Sequence, residues 1–472
     1  MCYNLDVNEK SRLIRKVLDM GYQVDPGVLN SLCSTRSFDE VLSILIGIIK
    51  NKKSIGDKNM YIVDNDVNYL FSREDFKTLK ASVLEDHSKI IFDASSSITT
   101  SHEFGNYSMY LRSRFDRLNA LLKEHLDWKD IIPINLLGRN IKKGHDKNKI
   151  SGFVFDKRIA KKSSYLILED STNLIKIMVP PSLINRLREI LLDQYVIVEV
   201  MFRENITQAV SINPLDISSE KRHRSVEDVN VIVISNLLVG SPQFDLKGWD
   251  NFVSWLNGDF GELNIVSRIK YMIINGDLID PSFSQQLSIA DKYKMLYELV
   301  GKIPSNIRIF LIPGECDATR TALPQPAVIR SFARHLYSLK NVVMLGNPST
   351  ILLDGVFVLM YHGQSLDDVK QQIETGGKER RVTDMMESLL KARHLAPSLG
   401  MNTSIAPDQD DNLVIQQVPD LFICSHLGES DVNYYKGTML LSCPSWTSTG
   451  IGLEKSRAAV VSLKTFDVIW RG

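Results

Sequence analysis

The stretch VIVISNLLVGSPQF, residues 231–244, decides the fold because a segment of apolar residues is followed directly by a loop with polar residues. Its first four residues favour β structure, and the residues that follow are typical of the end of a buried strand. In α/β proteins, functional side chains are often presented on loops of this kind. This loop carries Asn236 and Leu238, neither of which is a carboxylate or an imidazole. The stretch therefore predicts an α/β fold and leaves the chemistry to other loops.

Residues 226–472 alternate apolar strands with helical segments. The strand candidates are 231–235, 271–275, 307–312, 342–345, 351–361, 421–425, 439–442, 458–463 and 466–470. Asp354 and Gly355 form the turn of a hairpin within 351–361. The alternation predicts a layered α/β domain with functional loops at the strand ends.

Residues 134–216 have the shorter period of β structure. Strands are predicted over 150–155, 164–170, 174–179 and 195–200, with a helical insert over 183–192. This outline is typical of an OB-fold β-barrel, a fold that binds single strands through aromatic side chains and basic grooves. The basic candidates for DNA contact are Lys157, Arg158, Lys161 and Lys162. Few aromatic residues lie on these strands, so a barrel that only packs against its neighbours is the alternative.

The N-terminal part of the chain is predicted to be helical, since apolar residues of 1–53 recur at helical spacing. A helical module without ligand chemistry is suited to protein docking. Residues 54–106 are irregular and include the polar tract 94–101, which indicates a flexible linker. A connecting helix is expected within 107–133, before Pro133.

Composition limits the function classes but does not choose between them. The 472 residues carry 56 Lys+Arg and 56 Asp+Glu, so a nucleic-acid contact would depend on local basic patches. The five cysteines include no C-x-x-C pair, which argues against a zinc ribbon and a secreted disulfide framework. No apolar run near the start reaches the roughly 20 residues of a membrane span, and no signal peptide is expected. We therefore expect a cytoplasmic protein without a membrane partner.

Four predicted strand ends carry side chains of the metal-ligand type. They are Asp277 and Asp280 in 276–280, Glu315 and Asp317 in 313–317, His362, and His426. Two-metal phosphodiester hydrolysis requires carboxylate, amide and imidazole ligands that converge from several loops. One such residue is weak evidence, but four successive strand ends in one domain predict a metal-site architecture.

The order of these motifs resembles the calcineurin-like metallophosphoesterases, whose pattern is D-x-H, G-D-x-x-D, G-N-H-D, a lone His and G-H-x-H. It resembles more closely the small subunit of archaeal family D DNA polymerase. That likeness rests on residues 312–320, 323–326, 346–348, 361–368, 393–397 and 445–446. It extends over the helical module, the OB barrel and the whole phosphoesterase domain.

The resemblance implies a large catalytic partner subunit and a phosphoesterase domain with 3′–5′ exonuclease activity. One metal of such a site would be held at the positions of Asn236, Leu238, Asp277 and Gly428, of which only Asp277 is a strong ligand. The other would be held at Asp277, Glu315, His362 and His426. Cys316 takes the position of the family's catalytic histidine, and a thiol is a poor substitute in that role.

Three hypotheses follow for function. The leading one is a regulatory or scaffold small subunit that binds the large subunit and DNA, with exonuclease activity lost or weak. One divalent metal, Mn²⁺ or Mg²⁺, could remain at the second position, or none, with the two histidines only hydrogen-bonding the loops. The second hypothesis is an active proofreading exonuclease in which Asp280, Asp317 or Glu429 replaces missing ligands. The third is a DNA-binding module that uses the barrel and the basic loops 139–149, 157–162 and 221–224; direct docking of a sliding clamp stays open.

Overall fold

The computed structural model describes residues 7–35, 38–54, 59–63, 66, 86–98, 105–123, 128–138, 147–203, 206–282, 287–373, 380–446 and 458–471. The chain divides into two compact units. The first comprises residues 1–85, 246–270 and 302–306, and the second comprises residues 86–245, 271–301 and 307–472. Among the described helices, none has the length and apolarity needed to cross a membrane.

The helices of the described residues are α1 Val7–Asp19, α2 Pro26–Thr35, α3 Phe38–Ser54, α4 Ala94–Ser97, α5 Gly105–Leu122, α6 Ile184–Glu189, α7 Leu246–Leu256, α8 Leu263–Val266, α9 Ile289–Val300, α10 Arg330–Ala333, α11 Leu366–Gln372 and α12 Val382–Ala392. Short 3-10 turns lie at Trp128–Asp130, Ile134–Leu136, Pro181–Leu183 and Leu336–Ser338.

The strands are β1 Gln23–Val24, β2 Tyr61–Ile62, β3 Lys89–Asp93, β4 Lys147–Arg158, β5 Ser164–Glu169, β6 Leu174–Val179, β7 Tyr195–Arg203, β8 Ile206–Pro214, β9 Asn230–Ile234, β10 Ile269–Asn275, β11 Arg308–Ile312, β12 Val342–Met344, β13 Ser349–Leu353, β14 Val356–Met360, β15 Leu421–Cys424, β16 Asp431–Tyr435, β17 Thr438–Ser442, β18 Ala458–Ser462 and β19 Val468–Arg471.

In the first unit, α1 to α3 surround an apolar core that includes Leu13, Val17, Val41 and Leu45, each at most 1% exposed. These residues recur every three to four positions, as one face of a helix requires. The strands β1 and β2 add a short parallel pair beside the helices. The described part of residues 1–53 is therefore mainly helical.

The α/β part of the second unit contains two six-stranded sheets. The first has the order β12-β11-β10-β9-β18-β19, and the second has the order β16-β17-β15-β14-β13-β3. The strands β10 to β12 are parallel, and so are β14, β15 and β17. All residues of β9, β10, β15 and β17 are buried, which explains why these strands are continuous apolar runs in the sequence.

The strand β3 differs from the expectation of a flexible linker over 54–106. It pairs antiparallel with β13 and completes the edge of the second sheet. The carboxylate of Asp93 accepts hydrogen bonds from the backbone N–H groups of Ser95 and Gly346, at 2.9 and 2.7 Å. The polar tract after residue 93 obscured a strand that has only five residues and one pairing partner.

Residues 147–214 form a closed five-stranded barrel with the order β4-β5-β6-β8-β7. Its interior is apolar and includes Ile150, Val154, Leu166, Ile177 and Val198, each 0% exposed. The helix α6 lies between β6 and β7 in the chain, within the expected helical insert. The helix α5 ends at Leu122, well before Pro133.

Candidate functional site

The candidate site lies where strands from the two sheets end. Asp277 follows β10, His362 follows β14, and His426 follows β15. Two glycines allow these groups to come together. A Cβ atom at Gly276 would lie 2.1 Å from His362 Nδ1, and one at Gly314 would lie 2.3 Å from Asp277 Oδ1. The loop sequences therefore place glycine where side chains from other loops need the space.

The carboxylate of Asp277 is the centre of the site. Its Oδ1 accepts a hydrogen bond of 3.0 Å from the Cys316 backbone N–H, and its Oδ2 lies 3.4 Å from His362 Nε2. Burial alone would raise the pKa of Asp277. The charge and hydrogen bond of His362, the Cys316 N–H and the charge of His426 outweigh burial and lower that pKa to about 2. Asp277 is therefore an anion at neutral pH.

The His362 ring is fully buried and its orientation is fixed from two sides. Its Nδ1 lies 3.3 Å from the carbonyl oxygen of Asn275, which can only accept, so Nδ1 carries the hydrogen. Its Nε2 faces Asp277, and within the described residues this buried atom has no hydrogen-bond partner of good geometry. If the ring were neutral, the lone pair of Nε2 would face the Asp277 carboxylate oxygen, and two acceptors repel each other. A proton on Nε2 or a cation between the two groups would remove this repulsion.

The pKa of His362 reflects this contact. Burial lowers it, but the Asp277 carboxylate and the Asn275 carbonyl reverse the effect, and the pKa lies above its ordinary value. An Nδ1–H bond to a backbone carbonyl is also the arrangement found in many metal-binding histidines. The ring can therefore hold a proton or face a single cation.

His426 lies beside His362, with ring centroids 5.3 Å apart. Its Nε2 lies 3.1 Å from Asp367 Oδ2, and its buried Nδ1 has no hydrogen-bond partner among the described residues. Asp277, His362 and His426 are thus brought together. Glu315, the fourth member of that predicted set, is exposed.

The positions expected for a first metal hold no further strong ligand. Asn236 has a left-handed backbone with φ of 46°, and its Nδ2 donates to Ser425 O at 3.1 Å and to Ser445 Oγ at 3.0 Å. The backbone N–H of Leu238 donates to Asp277 O, while the Leu238 side chain is an alkyl group. A Cβ atom at Gly428 would lie only 2.5 Å from Ser445 Oγ. Ser445 therefore fills the space that a side chain at 428 would need.

Cys316 is not placed to act as an acid or a nucleophile. Burial and the neighbouring carboxylates of Asp277 and Asp317 raise the pKa of its thiol, so it stays protonated at neutral pH. Its backbone N–H donates a hydrogen bond of 3.0 Å to Asp277 Oδ1, and its thiol interacts with the same carboxylate. Cys316, at the position expected for a histidine, therefore stabilises the loop through its hydrogen bond to Asp277.

Asp317 organises the loop that carries Glu315 and Cys316. It accepts hydrogen bonds from the backbone N–H groups of Leu278 and Gly314 and from Tyr293 Oη. Burial, and then the charge of Asp277, raise its pKa to about 7. A carboxylate with three donors in place has little capacity left for a metal.

Asp280 and Glu429, the other two carboxylates considered as replacement ligands, also take part in local loop structure. The Asp280 side chain accepts from the Ser282 backbone N–H at 2.8 Å, and Lys292 Nζ donates to its carbonyl at 2.8 Å. Glu429 is exposed, and its carbonyl accepts from Ser442 Oγ.

Several residues of the site were missed by sequence reasoning. Asn275 lies inside an apolar strand, yet its Nδ2 donates to Tyr361 O at 3.0 Å and to Ser425 Oγ at 2.5 Å. Gln325 Oε1 accepts from Asn347 Nδ2 and from Gln364 Nε2, at 2.7 and 2.8 Å. A buried amide within an apolar run is the signal that could have identified Asn275, since such groups require partners.

The amide network connects the loops of the site. Gln325 Nε2 donates to the carbonyl of Gly314 at 3.1 Å, and Asn347 Oδ1 accepts from the backbone N–H of His362 at 3.0 Å. The side chains of this network are buried. It fixes His362 and the loop after β11 relative to each other without any metal.

The arrangement does not fit two metal ions. Among the residues that the structure describes, no group of three or more His, Cys, Asp or Glu side chains is placed to hold a metal. Two-metal hydrolysis needs both ions about 3.5–4 Å apart. What remains is a buried ion pair, Asp277 with His362, next to His426 Nδ1, for which the described part of the chain offers no hydrogen-bond partner.

The four basic residues predicted to contact DNA differ in their surroundings. Lys157 Nζ donates to the carbonyl oxygens of Ile190 and Leu187, at 2.5 and 3.4 Å, and so holds the end of α6. Arg158, Lys161 and Lys162 are exposed.

Of the two other basic loops, only 221–224 lies wholly within the described residues. In the loop 221–224, Arg222 is buried and donates to Thr438 Oγ1, and Arg224 lies over the Phe466 ring. Residues 139–146 of the other loop lie outside the described part of the chain.

Comparisons with known proteins first define the class. Residues 231–431 match the family of the B subunits of DNA polymerases alpha and epsilon. Among solved structures, a Vps29 complexed with zinc from Entamoeba histolytica is 13% identical, covering 52% of this chain and 97% of that one with a TM-score of 0.26. The phosphoesterase Yfce from E. coli is 12% identical, covering 51% of this chain and 97% of that one with a TM-score of 0.25.

Curated relatives then give the particular family. The DNA polymerase II small subunit of Methanothermobacter thermautotrophicus is 31% identical over 441 residues, which is 89% of this chain and 90% of that protein. The protein of the same name from Archaeoglobus fulgidus is 28% identical over 460 residues, covering 93% of this chain and 91% of that one. This chain belongs to the DNA polymerase II small subunits, which confirms the resemblance found in its sequence.

Proposed function

We propose that this chain is the regulatory small subunit of a replicative family D DNA polymerase. In this proposal it binds the large catalytic subunit and DNA, and two-metal 3′–5′ exonuclease chemistry is absent or severely reduced. The observation that carries the second part is the local structure at Asn236, Gly428 and Ser445. Asn236 and Gly428 stand at two of the positions that would supply ligands to a first metal, and the Ser445 hydroxyl fills the space beside Gly428 and accepts from Asn236.

The proposed loss of exonuclease activity follows from the missing ligands of the first metal. Without a first metal, no hydroxide of lowered pKa is held between two cations for in-line attack on a phosphodiester. The protonated thiol of Cys316 also cannot replace an imidazole as a general acid near neutral pH. The site therefore lacks both the nucleophile-generating cation and the proton donor.

The proposed domain organisation is a helical module over 1–53, a connecting segment over 54–106 whose strand β3 belongs to the second sheet, a connecting helix within 107–133, an OB fold over 134–216 and a calcineurin-like phosphoesterase domain over 226–472. The barrel order β4-β5-β6-β8-β7, with α6 between its third and fourth strands, supports the OB assignment. The two sheets with site loops at their strand ends support the phosphoesterase assignment. In this scheme the fold survives while the reaction is lost.

The scaffold role is tested with the large subunit. The tagged chain, co-expressed with the family D large subunit, is expected to retain it through gel filtration and to raise its DNA synthesis on a primed template. A matched test uses the Asp277→Asn, His362→Gln double variant, which removes the ion pair of the site. Equal synthesis by both complexes supports a non-catalytic role, and failure of the wild-type chain to retain the large subunit would contradict the proposal.

A second function is favoured by one observation: among the described residues, His426 Nδ1 and His362 Nε2 are buried without a hydrogen-bond partner, and His362 Nε2 lies 3.4 Å from Asp277 Oδ2. A single Mn²⁺ or Mg²⁺ ion at this place would stabilise the loops or support weak hydrolysis, and it would need water or further ligands, because no three of the described His, Cys, Asp or Glu side chains are placed to hold it. Isothermal titration of the chain with Mn²⁺ tests this candidate. Binding that disappears in His362→Ala would establish the cation, whereas equal heats for both proteins would leave the proton as the only bridge.

A further inference from the structure

The outer surface of the barrel carries a set of side chains that its own packing does not explain. The residues of β5 alternate between the buried Ser164, Leu166 and Leu168 and the outward Tyr165 and Ile167. Arg158 is the pairing partner of Tyr165, and Met178 pairs with Tyr165 from the other side. These three side chains therefore form a row across β4, β5 and β6.

The neighbouring row adds a second basic group. Lys176 pairs with Ile167, and its Nζ lies 4.1 Å from the centroid of the Tyr165 ring. This cation–π contact holds the tyrosine and the ammonium group together on the surface. The Tyr165 hydroxyl donates to Asp156 Oδ2 at 3.2 Å, which fixes the ring from the opposite end.

A second aromatic residue is exposed beside these rows. The pairing of β4 with β5 is interrupted by a bulge between Val154 and Asp156. Phe155, the extra residue, is 57% exposed. A bulge turns a side chain away from its regular direction. Exposure of a phenyl ring to water is unfavourable, and the packing of the barrel does not require it.

The charges around the two rings are mainly positive. The exposed basic residues are Arg158, Lys161, Lys162 and Lys176, against the acidic groups Asp156 and Glu169. Lys161 and Lys162 lie in the turn between β4 and β5, next to Arg158. We call this set, Phe155, Arg158, Lys161, Lys162, Tyr165 and Lys176, the aromatic–basic face.

We propose that the aromatic–basic face binds single-stranded nucleic acid, with a base stacked on Phe155 and phosphates held by Arg158, Lys161, Lys162 and Lys176. This inference rests on the proposed function, because it assigns the DNA contact of the small subunit to one surface. An exposed ring is useful only to unstacked bases, which favours a single strand over a duplex. Three lysines argue against a protein partner, since lysine is depleted at protein interfaces.

The first test is fluorescence anisotropy of the full chain with a labelled oligo(dT) of roughly 16 nucleotides, the upper end of the site size of such barrels. Phe155→Leu keeps an apolar side chain but removes the ring, and we expect it to weaken binding about tenfold. A matched oligo(U) arm shows whether the face distinguishes DNA from RNA. Wild-type affinity for both oligonucleotides in Phe155→Leu would overturn the role of the ring.

The second test measures charge. Lys161→Glu with Lys162→Glu is expected to reduce the slope of log affinity against log salt by about 1.4, the value for two lost phosphate contacts on a single strand. The control is Lys340→Glu with Lys464→Glu, which makes the same charge change on exposed residues outside the barrel. An equal loss in both double variants would mean non-specific attraction and would contradict the proposal. Lys157 is left unchanged because its ammonium group holds α6.

Retention of the large subunit separates the two proposals. Variants of the face that bind the oligonucleotide weakly but still retain the large subunit support the inference. Loss of the large subunit with unchanged oligonucleotide binding would identify the face as a protein surface and overturn it. A wild-type chain that binds the oligonucleotide but never retains the large subunit would contradict the proposed function alone.

Discussion

At the scale of single residues, the site is stabilised by contacts that need no metal. Asn236, with a left-handed backbone, binds Ser445, and Ser445 in turn fills the space next to Gly428. A metal ligand at 428 would require both a different φ and a different neighbour. The effects of substitutions at Gly428, Ser445 and Asn236 on the free energy of unfolding should therefore depend on one another.

This coupling can be measured as a double-mutant cycle. Gly428→Ala places a methyl group 2.5 Å from Ser445 Oγ at a φ of 66°, so we expect a loss of roughly 2 kcal/mol in the free energy of unfolding. In a Ser445→Ala background the cost should fall by about 1 kcal/mol, because the hydroxyl is gone. Denaturant unfolding of the four proteins measures both numbers, and strictly additive effects would show that the two positions do not interact.

The ion pair of Asp277 and His362 gives the protein a pH-dependent stability. The folded pKa of His362 is raised, so its contribution is complete below the unfolded pKa of about 6.5 and is lost as pH rises through the folded value. Wild-type protein should therefore lose unfolding free energy more steeply than His362→Gln as the pH rises above about 6.5. Urea unfolding across that range tests this, with His335→Gln as a control that removes a histidine elsewhere. Identical pH profiles for wild type and His362→Gln would contradict the buried ion pair.

How much of the site could be predicted from sequence depends on where each residue lies. Asp277, His362 and His426 follow apolar runs, so the strand-end pattern identified them. Ser445 and Gln325 could not be found this way, because their importance comes from side chains that reach them from distant loops. Lys157 was grouped with its basic neighbours, but alternation along β4 turns it toward the α6 carbonyls.

At the scale of elements, α5 is fixed to the α/β part of the second unit by a buried polar cluster. Arg114 donates to Asp411 Oδ2 at 2.6 Å, to Pro397 O at 2.7 Å and to Tyr110 Oη at 2.8 Å. His394 Nε2 lies 2.9 Å from the same Asp411 oxygen. Burial would raise the pKa of Asp411, but the charges of His394 and Arg114 hold it well below its usual range.

Removal of the arginine should be costly. Arg114→Met leaves the Asp411 carboxylate, which is 0% exposed, without its main cation, and we expect a loss of about 3–5 kcal/mol of unfolding free energy. Arg112→Met on the same helix is the matched control. Its partner Asp116 is 3.9 Å away and both side chains are largely exposed, so that loss should stay under about 1 kcal/mol. Similar losses for the two variants, measured by urea unfolding, would show that the cluster does not fix the helix.

The elements themselves were predictable to different degrees. The buried strands of the two sheets contain short apolar runs, and their positions follow from the pattern of apolar residues along the chain. The strand β3 was missed because five residues beside a polar tract carry little periodic signal, and its pairing with β13 is a contact across more than 250 positions. Local pattern indicates that an element can form, but it does not indicate which distant edge will accept it.

At the scale of the whole molecule, membership of a family has to be judged separately from the reaction that the chain can catalyse. The chain is similar to DNA polymerase II small subunits over most of its length, and its two sheets bring the site loops together at their strand ends. The residues at those loops nevertheless hold one another rather than a pair of metals. Under the proposed function, the fold is retained for assembly while the exonuclease chemistry is absent.

The measurement that tests this account most directly is 3′–5′ excision from a mismatched primer with added Mn²⁺. The purified chain is compared with the His362→Ala, His426→Ala double variant, under conditions where a two-metal exonuclease would be readily detected. We predict no excision by either protein, because only one strong ligand remains at the first metal position. Excision by the wild-type chain that disappears in the double variant would contradict the account and establish a rearranged metal centre.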